Sequence, residues 1–177
     1  HTRGNSVTAS STATADILHF PEPRDIETEQ ALLGCLMLDN RNIEPVAAFL
    51  KWQHFSEPLH QRIFDAIVRL AGAGRDASPI SLKTVLAGDE GLKALEPTNY
   101  LIELITIPPS QLSVMSYASA LYDLAKRREI TGIGKDLQEA AMHLAPDMNA
   151  ATLIEQASAA LLDLDLKAAQ QETVRGG

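Results

Sequence analysis

Apolar side chains recur every three or four residues along most of the sequence, which is the spacing of an amphipathic helix. Period-two alternation bounded by turn signals, the mark of a half-buried strand, does not occur, although a short strand around Ile80 is left open as an alternative. The pattern therefore predicts an all-α fold.

The first predicted helix follows Pro21 and Pro23, which hold the preceding backbone extended. Asp25 is placed to cap it, and Glu27 and Glu29 in the first turn suit the positive end of the helix dipole. The apolar stripe of this helix consists of Ile26, Leu32, Leu33, Leu36 and Met37.

Three shorter helices are predicted next. Asn42 can cap one that runs to Leu50, Ser56 can cap one that ends at Gly72, and Ser81 with Thr84 can begin another. The second has the clearest apolar face, which consists of Ile63, Phe64, Ile67, Val68 and Leu70.

Two aromatic residues, Trp52 and Phe55, lie in the connector before this helix, and we expect both to fill the core. A further helix is predicted over 100–107, capped by Thr98 or Asn99 and ended by a pair of prolines. These elements make up a globular multi-helix head.

The segment 110–144 holds no proline, and as a single helix it would be about 50 Å long, too long to be buried in a domain of this size. Its apolar stripe changes phase between Leu124 and Ile130, which indicates that the first part packs on the head and the second part faces elsewhere. Gly132 and Gly134 leave a break or kink open, because each costs about 1 kcal/mol in a helix interior.

A turn over 145–149 and a last helix capped by Asn149 follow, so the two long helices are predicted to form an extended antiparallel hairpin. Such a hairpin has more apolar surface than it can cover alone, and we expect a second copy or another partner to cover it. The residues predicted for self-association are Ile130, Ile133, Leu137, Leu144, Leu153, Ile154, Leu161 and Leu164.

The predicted organisation has four parts. Residues 1–20 form a disordered tail poor in large side chains, 21–109 the head, 110–166 the hairpin arm, and 167–177 the start of a linker. No run approaches the length of a membrane span, and the first twenty residues lack the apolar stretch of a signal peptide, so we expect a cytoplasmic protein.

The net charge of −8 has the wrong sign for a domain that grips phosphates, so little direct nucleic-acid binding is expected. The one dense basic cluster, Lys126-Arg127-Arg128, lies between Asp123 and Glu129. It is interpreted first as a solvated helix face and only second as a phosphate contact.

The sequence shows no pattern of metal-binding or catalytic residues. The five histidines, His1, His19, His54, His60 and His143, do not have metal-ligand spacing, and His60 is expected to be a packed core side chain. The single Cys35 is expected to be a buried and inert thiol.

Two glycine patterns also fail. Gly72-Ala73-Gly74 opens a formal dinucleotide fingerprint but follows a helix instead of a strand, and Gly134-Lys135 is followed by Asp136 where a P-loop needs Ser or Thr. No catalytic, cofactor-binding or metal-binding residue is therefore predicted, and an enzyme acting on a small molecule has no supporting residues.

Several motifs, taken in their order along the chain, resemble those of a known protein family. The opening Pro23-x-x-Ile26-Glu27-x-Glu29-Gln30-Ala31-x-Leu33-Gly34-x-Leu36-x-Leu38-Asp39 resembles the start of the N-terminal domain of bacterial replicative DNA helicases of the DnaB family. The similarity continues through Phe55, His60-x-x-Ile63-Phe64, Pro79-Ile80-Ser81-Leu82, Tyr100-Leu101-x-Glu103-Leu104, Pro109-Ser110 and Tyr117-Ala118. It spans roughly 21–165.

The chain departs from that pattern in two places. Glu96-Pro97-Thr98-Asn99 stands where the family usually has a glycine pair before the Tyr-Leu helix. Gly132 and Gly134 interrupt an arm that in the family commonly continues after its two arginines without glycine.

The resemblance implies a non-catalytic collar domain that lies before a RecA-like ATPase domain absent here. ATP and Mg²⁺ would belong to that motor domain, and this chain would need no cofactor. The expected partners are a second copy, as a dimer and a trimer of dimers in the hexamer, the C-terminal domain of primase, and a helicase loader.

Primase docking is expected near Tyr100, Ile130 and Leu137. The alternative function is a free-standing helicase-like adaptor that sequesters primase or loader.

Overall fold

The computed structural model describes residues 21–107 and 113–175, which are helical with no strand. The predicted all-α fold is confirmed over these ranges. Ile80 lies inside a helix, so the alternative of a short strand there is wrong. The predicted tail over 1–20 and the proline pair at 108–109 lie outside the described residues.

Among the described residues, six helices form the head: α1 (Ile26–Leu38), α2 (Ile43–Ala47), α3 (Pro58–Gly72), α4 (Pro79–Val85), α5 (Glu90–Ala94) and α6 (Pro97–Thr106). Short 3₁₀ turns occur at Asn40–Asn42 and Trp52–His54. The arm begins with α7 (Val114–Met142) and returns along α8 (Ala150–Arg175).

The helix starts agree with the sequence only in part. Asp25 caps α1 as predicted, with its carboxylate accepting from the Thr28 amide at 3.0 Å. The predicted cap at Ser56 is wrong, because α3 begins at Pro58 and both the amide and the hydroxyl of Ser56 donate to Glu29.

Two further starts lie earlier than predicted. Ser78, not Ser81, caps α4, and the hydroxyl of Ser81 instead accepts from the Ser78 amide at 2.9 Å. In α6 the first helical residue is Pro97, preceded by Glu96 with a left-handed φ of 54°. Proline in the first turn needs no amide hydrogen bond, which explains why both helices begin at a proline.

The head core is built from the apolar faces of α1, α3 and α6, and it extends onto the first turns of α7. Tyr117, Ala118, Leu121, Tyr122 and Ala125 are all buried there. Beyond Ala125 no described residue of the arm is buried. The predicted change of face between Leu124 and Ile130 is therefore confirmed.

The two connector aromatics have different environments. Phe55 is buried against Phe64, with ring centroids 4.9 Å apart. Trp52 is 43% exposed, so its prediction as a core residue is wrong. The 3₁₀ turn that contains Trp52 directs its ring to the surface and the ring of His54 inward.

The glycine patterns have structural explanations. Gly74 has a φ of 69° and ends α3 in a left-handed turn, closed by a hydrogen bond from the Arg75 amide to the Leu70 carbonyl at 2.9 Å. The dinucleotide-like pattern is thus a helix terminus. Gly132 and Gly134 lie within the unbroken helix α7, so a break there is wrong.

The second arm helix begins as predicted, since the Asn149 side chain accepts from the Thr152 amide at 2.9 Å. It continues to Arg175, so the predicted linker segment is helical as far as that residue. Among the described helices, none combines the length and apolar character needed to cross a membrane.

Candidate assembly surface and the contacts that support it

Most of the residues predicted for self-association are exposed on the arm. Leu144 is 95% exposed, Ile154 65%, Ile130 52%, Leu161 48% and Leu137 38%. Large aliphatic side chains at these levels of exposure form an apolar surface that water covers in the single chain.

The other predicted residues, Ile133, Leu153 and Leu164, are half-buried. Ile133 and Leu153 line an open groove of about 130 Å³ between α7 and α8, together with Leu137 and the small side chains of Ala140, Ala157 and Ala160. These residues hold the hairpin together, and Leu137 is shared between the groove and the exposed surface.

In the described part of the arm, sequence reasoning missed four large exposed apolar side chains: Met115, Met142, Leu162 and Leu166. Leu162 and Leu166 are four residues apart and therefore lie on one face of α8. This spacing is visible in the sequence, beside the stripe through Leu161 and Leu164.

Tyr100, predicted as a docking residue, is largely engaged within the head. Its hydroxyl lies 2.5 Å from Nε2 of His60, and the planes of the two rings are parallel to within 5°, with centroids 6.2 Å apart. The side-chain amide of Gln30 also donates to the Tyr100 hydroxyl at 3.5 Å. Ile130 and Leu137, the other two predicted docking residues, lie on the exposed part of the arm instead.

A buried carboxylate lies behind this tyrosine. One oxygen of Glu29 accepts from the amide and the hydroxyl of Ser56, at 2.5 and 2.7 Å. The other oxygen is 2.7 Å from Nδ1 of His60 and accepts from the Glu57 amide at 3.3 Å. Glu29, on α1, thus accepts hydrogen bonds from the residues just before α3. Its prediction as a charge in the first turn of α1 is therefore incomplete.

The charge on Glu29 determines the direction of the hydrogen bonds in this network. Burial by itself raises the pKa of Glu29, but hydrogen bonds from His60 and Ser56 outweigh burial and hold the pKa below its ordinary value. An ionised carboxylate only accepts hydrogen bonds, so His60 donates through Nδ1, and its Nε2 can accept a hydrogen bond from the Tyr100 hydroxyl. Burial raises the pKa of Tyr100, which favours its role as a donor. Each group is a hydrogen-bond partner of its neighbour, and the network stabilises the packing of the head.

The arm meets the head at a second set of contacts. Arg128 donates to the carbonyl of Pro23 at 2.9 Å and to the carbonyl of His54 at 2.6 Å. The imidazole of His54 packs edge-on against Tyr122, with ring centroids 5.2 Å apart. Arg128 is therefore half-buried, and the interpretation of the basic cluster as a solvated face is wrong for this residue.

The rest of that cluster is paired along the helix. Arg127 contacts Asp123 at 2.7 Å, and Lys126 contacts Glu129 at 3.2 Å and lies over the Tyr122 ring. The pKa of His54 is lowered to about 4. Burial is the largest cause, and the neighbouring cations Lys126, Arg128 and Lys51 add to it. His54 is neutral at pH 7, and its Nδ1 accepts from the Lys51 amide at 2.9 Å.

Within residues 21–107 and 113–175, no three His, Cys, Asp or Glu side chains are grouped so as to hold a metal ion. Cys35 is half-buried, and burial raises its pKa, so the thiolate is disfavoured at neutral pH.

Comparison with known proteins points to one family. Residues 21–123 match the family model described as the DnaB-like helicase N terminal domain. Proteins named replicative DNA helicase DnaB are 35% identical to the chain over 142 residues in Rickettsia felis and 36% identical over 151 residues in Rickettsia prowazekii. These matches cover 80% and 84% of the chain but only 29% and 31% of the relatives.

A solved structure is also similar. The N-terminal domain of DnaB helicase from Mycobacterium tuberculosis superposes with a TM-score of 0.70 at 26% identity. The match covers 81% of this chain and 99% of that one.

Proposed function

Because the chain belongs to the DnaB-like helicase N-terminal domain family, we propose that it is the collar domain of a hexameric replicative DNA helicase. In this role it mediates subunit assembly and docks primase, while ATP hydrolysis and unwinding belong to a motor domain beyond this chain. The chain spans less than a third of the relatives it matches, which leaves room for such a domain in the parent protein.

The observation that carries the proposal is the uncovered apolar surface of the arm. Ile130, Leu144, Ile154 and Leu161 are each about half exposed or more on a hairpin that projects from the head. Burying an aliphatic side chain of this kind contributes roughly 1.5–3 kcal/mol, so a few of them suffice for a modest self-association. The proposed first step is a dimer formed through the two arms, and three such dimers would complete the hexamer.

Sedimentation equilibrium of the chain tests this step. We expect dimers or larger species, and we expect Ile154→Asp to dissociate them because it places a charge in the proposed interface. Ile80→Asp is the matched control, since Ile80 is 82% exposed but lies on the head. A strictly monomeric wild-type chain, or equal dissociation by both substitutions, would rule out assembly through the arm.

Primase docking is the second part of the proposal. Because the Tyr100 hydroxyl is engaged by His60, we assign any contact at this position to the exposed part of the ring, and the main contacts to Ile130 and Leu137 on the arm. Isothermal titration with the C-terminal domain of the cognate primase should give binding that Ile130→Asp weakens. A helicase loader would be tested in the same way.

The parent gene distinguishes the helicase from the alternative adaptor. A reading frame that continues after residue 177 into a P-loop ATPase supports the helicase. A stop codon there would favour a free-standing adaptor that keeps the same docking surface but has no motor.

A further inference from the structure

The direction of the arm relative to the head determines where the assembly surface points. From Arg128 to Met142, α7 extends for 15 residues without a buried side chain, which is roughly 20 Å of projecting helix. A tilt of about 15° at the root would therefore move the tip by roughly 5 Å. The contacts at the root of the arm control this angle.

The buried residues of α7 hold the helix on one side only. Tyr117, Ala118, Leu121 and Ala125 face the core, and the span from Tyr117 to Ala125 is little more than two helical turns. Apolar packing is not directional, so such a contact resists separation better than it resists rocking. Hydrogen bonds from a planar guanidinium are directional and would supply the missing restraint.

Arg128 is placed to do this. It lies one turn beyond Ala125, and its two terminal nitrogens donate to two different parts of the head, the Pro23 carbonyl before α1 and the His54 carbonyl at the end of a 3₁₀ turn. The two acceptors are 31 residues apart in the chain, so the guanidinium ties the arm to both segments at once. In the described part of α7, no hydrogen bond to the head lies farther along the arm.

We propose that Arg128 is a positioning residue that fixes the angle between the head and the arm and so presents the assembly surface in one orientation. The benefit of a fixed angle for assembly rests on the proposed function, but the contacts by which Arg128 fixes that angle do not. The angle is a property of a single chain and can be measured whether or not the chain associates.

Distances between spin labels test the proposal. The single native cysteine is removed as Cys35→Ala, and labels are attached through Lys83→Cys on the head and Asp147→Cys at the arm tip, both exposed positions. The labelled chain is diluted with unlabelled chain so that only distances within one molecule are measured. We expect a narrow distribution for wild-type Arg128 and one broader by roughly 5 Å for Arg128→Met, from the lever estimated above.

Arg127→Met is the matched control, because it removes the same charge one residue earlier from a side chain that pairs only along the helix, with Asp123. It should leave the distribution narrow. Arg128→Lys keeps the charge but loses the two-pronged geometry, and an intermediate width is expected. Thermal unfolding of each variant confirms that the head is intact, and Arg128→Lys keeps the test decisive if Arg128→Met does not fold.

The proposal is overturned if Arg128→Met gives the wild-type distribution, or if Arg127→Met broadens it equally. A monomeric chain with a distribution that broadens only in the Arg128 variants would defeat assembly through the arm and leave the positioning role standing. Dimers whose distance distribution is unchanged in Arg128→Met would instead support assembly through the arm and overturn the positioning role.

Discussion

Gly34 in α1 faces the backbone carbonyl of Leu104 in α6 so closely that an added Cβ would overlap the carbonyl oxygen. The two helices therefore touch backbone to backbone at this point. The side chain of Leu33, next to Gly34, and the side chain of Leu104 are both buried. Glu29 of α1 and Tyr100 of α6 are also joined through His60 of α3, so this close approach helps to set the geometry of the head.

Gly34→Ala should destabilise the head, because the two helices must move apart to admit the methyl group. Overpacking of this kind costs about 1–3 kcal/mol, and urea unfolding followed by circular dichroism would measure it. The matched controls are Gly132→Ala and Gly134→Ala, which meet open space inside α7 and should stabilise the chain by up to about 1 kcal/mol each. Equal effects at all three glycines would contradict the close contact.

Glu29→Gln should also destabilise the head, because a neutral amide cannot accept from Ser56, Glu57 and His60 in the same way. Loss of a buried, charge-assisted network typically costs about 3–5 kcal/mol, and chemical denaturation measures the change. Glu27→Gln, at an exposed position in the same first turn, should change stability by less than about 0.5 kcal/mol. A loss at Glu29 no greater than that at Glu27 would show that the network contributes little.

Stability should fall as the pH is lowered, starting near the pKa of a free histidine. The pKa of His54 is about 4 in the fold, well below its unfolded value near 6.5, so the unfolded chain binds the proton first. The contribution of neutral His54 is complete above pH 6.5 and is lost as the pH falls toward 4, by at most about 3 kcal/mol. Glu29, whose pKa is lowered, adds a loss of the same sign below its ordinary value.

Urea midpoints measured from pH 7.5 down to pH 4 would show this slope. His54→Gln should flatten it between pH 6.5 and 4.5, at some cost to stability at neutral pH. An unchanged slope in this variant would mean that another group is responsible.

Glu96→Gly should stabilise the start of α6. Glu96 has a φ of 54°, where a side chain is strained and glycine is not, and its one side-chain hydrogen bond is an exposed contact with Asn99. The expected gain is about 0.5–1 kcal/mol by thermal unfolding, smaller than the strain itself because glycine also adds freedom to the unfolded chain. Glu103→Gly, inside α6, should instead be destabilising and serves as the control.

The local features of the fold were within reach of the sequence. Asp25 and Asn149 cap their helices as the residue types predict, and the change of apolar phase after Leu124 correctly separates the buried part of α7 from its exposed part. These features depend on residues within a few positions of one another, and helical periodicity makes such relations visible in one dimension. The exposure of Ile154 on the candidate surface followed from the same periodicity, whereas Leu144, predicted to lie on the helical stripe, lies beyond the end of α7 at Met142.

Tertiary structure alone decided the contacts that place this surface. Glu29 and His60 are 31 residues apart, and Arg128 reaches a carbonyl 105 residues earlier in the chain. No periodicity relates such positions, because they meet only after helices with no fixed sequence offset have packed. The sequence by itself therefore determined which segments are helical and which side of the arm is apolar. Packing decided that a first-turn glutamate is buried, that a conspicuous tryptophan is on the surface, and that one arginine of a basic cluster joins the arm to the head.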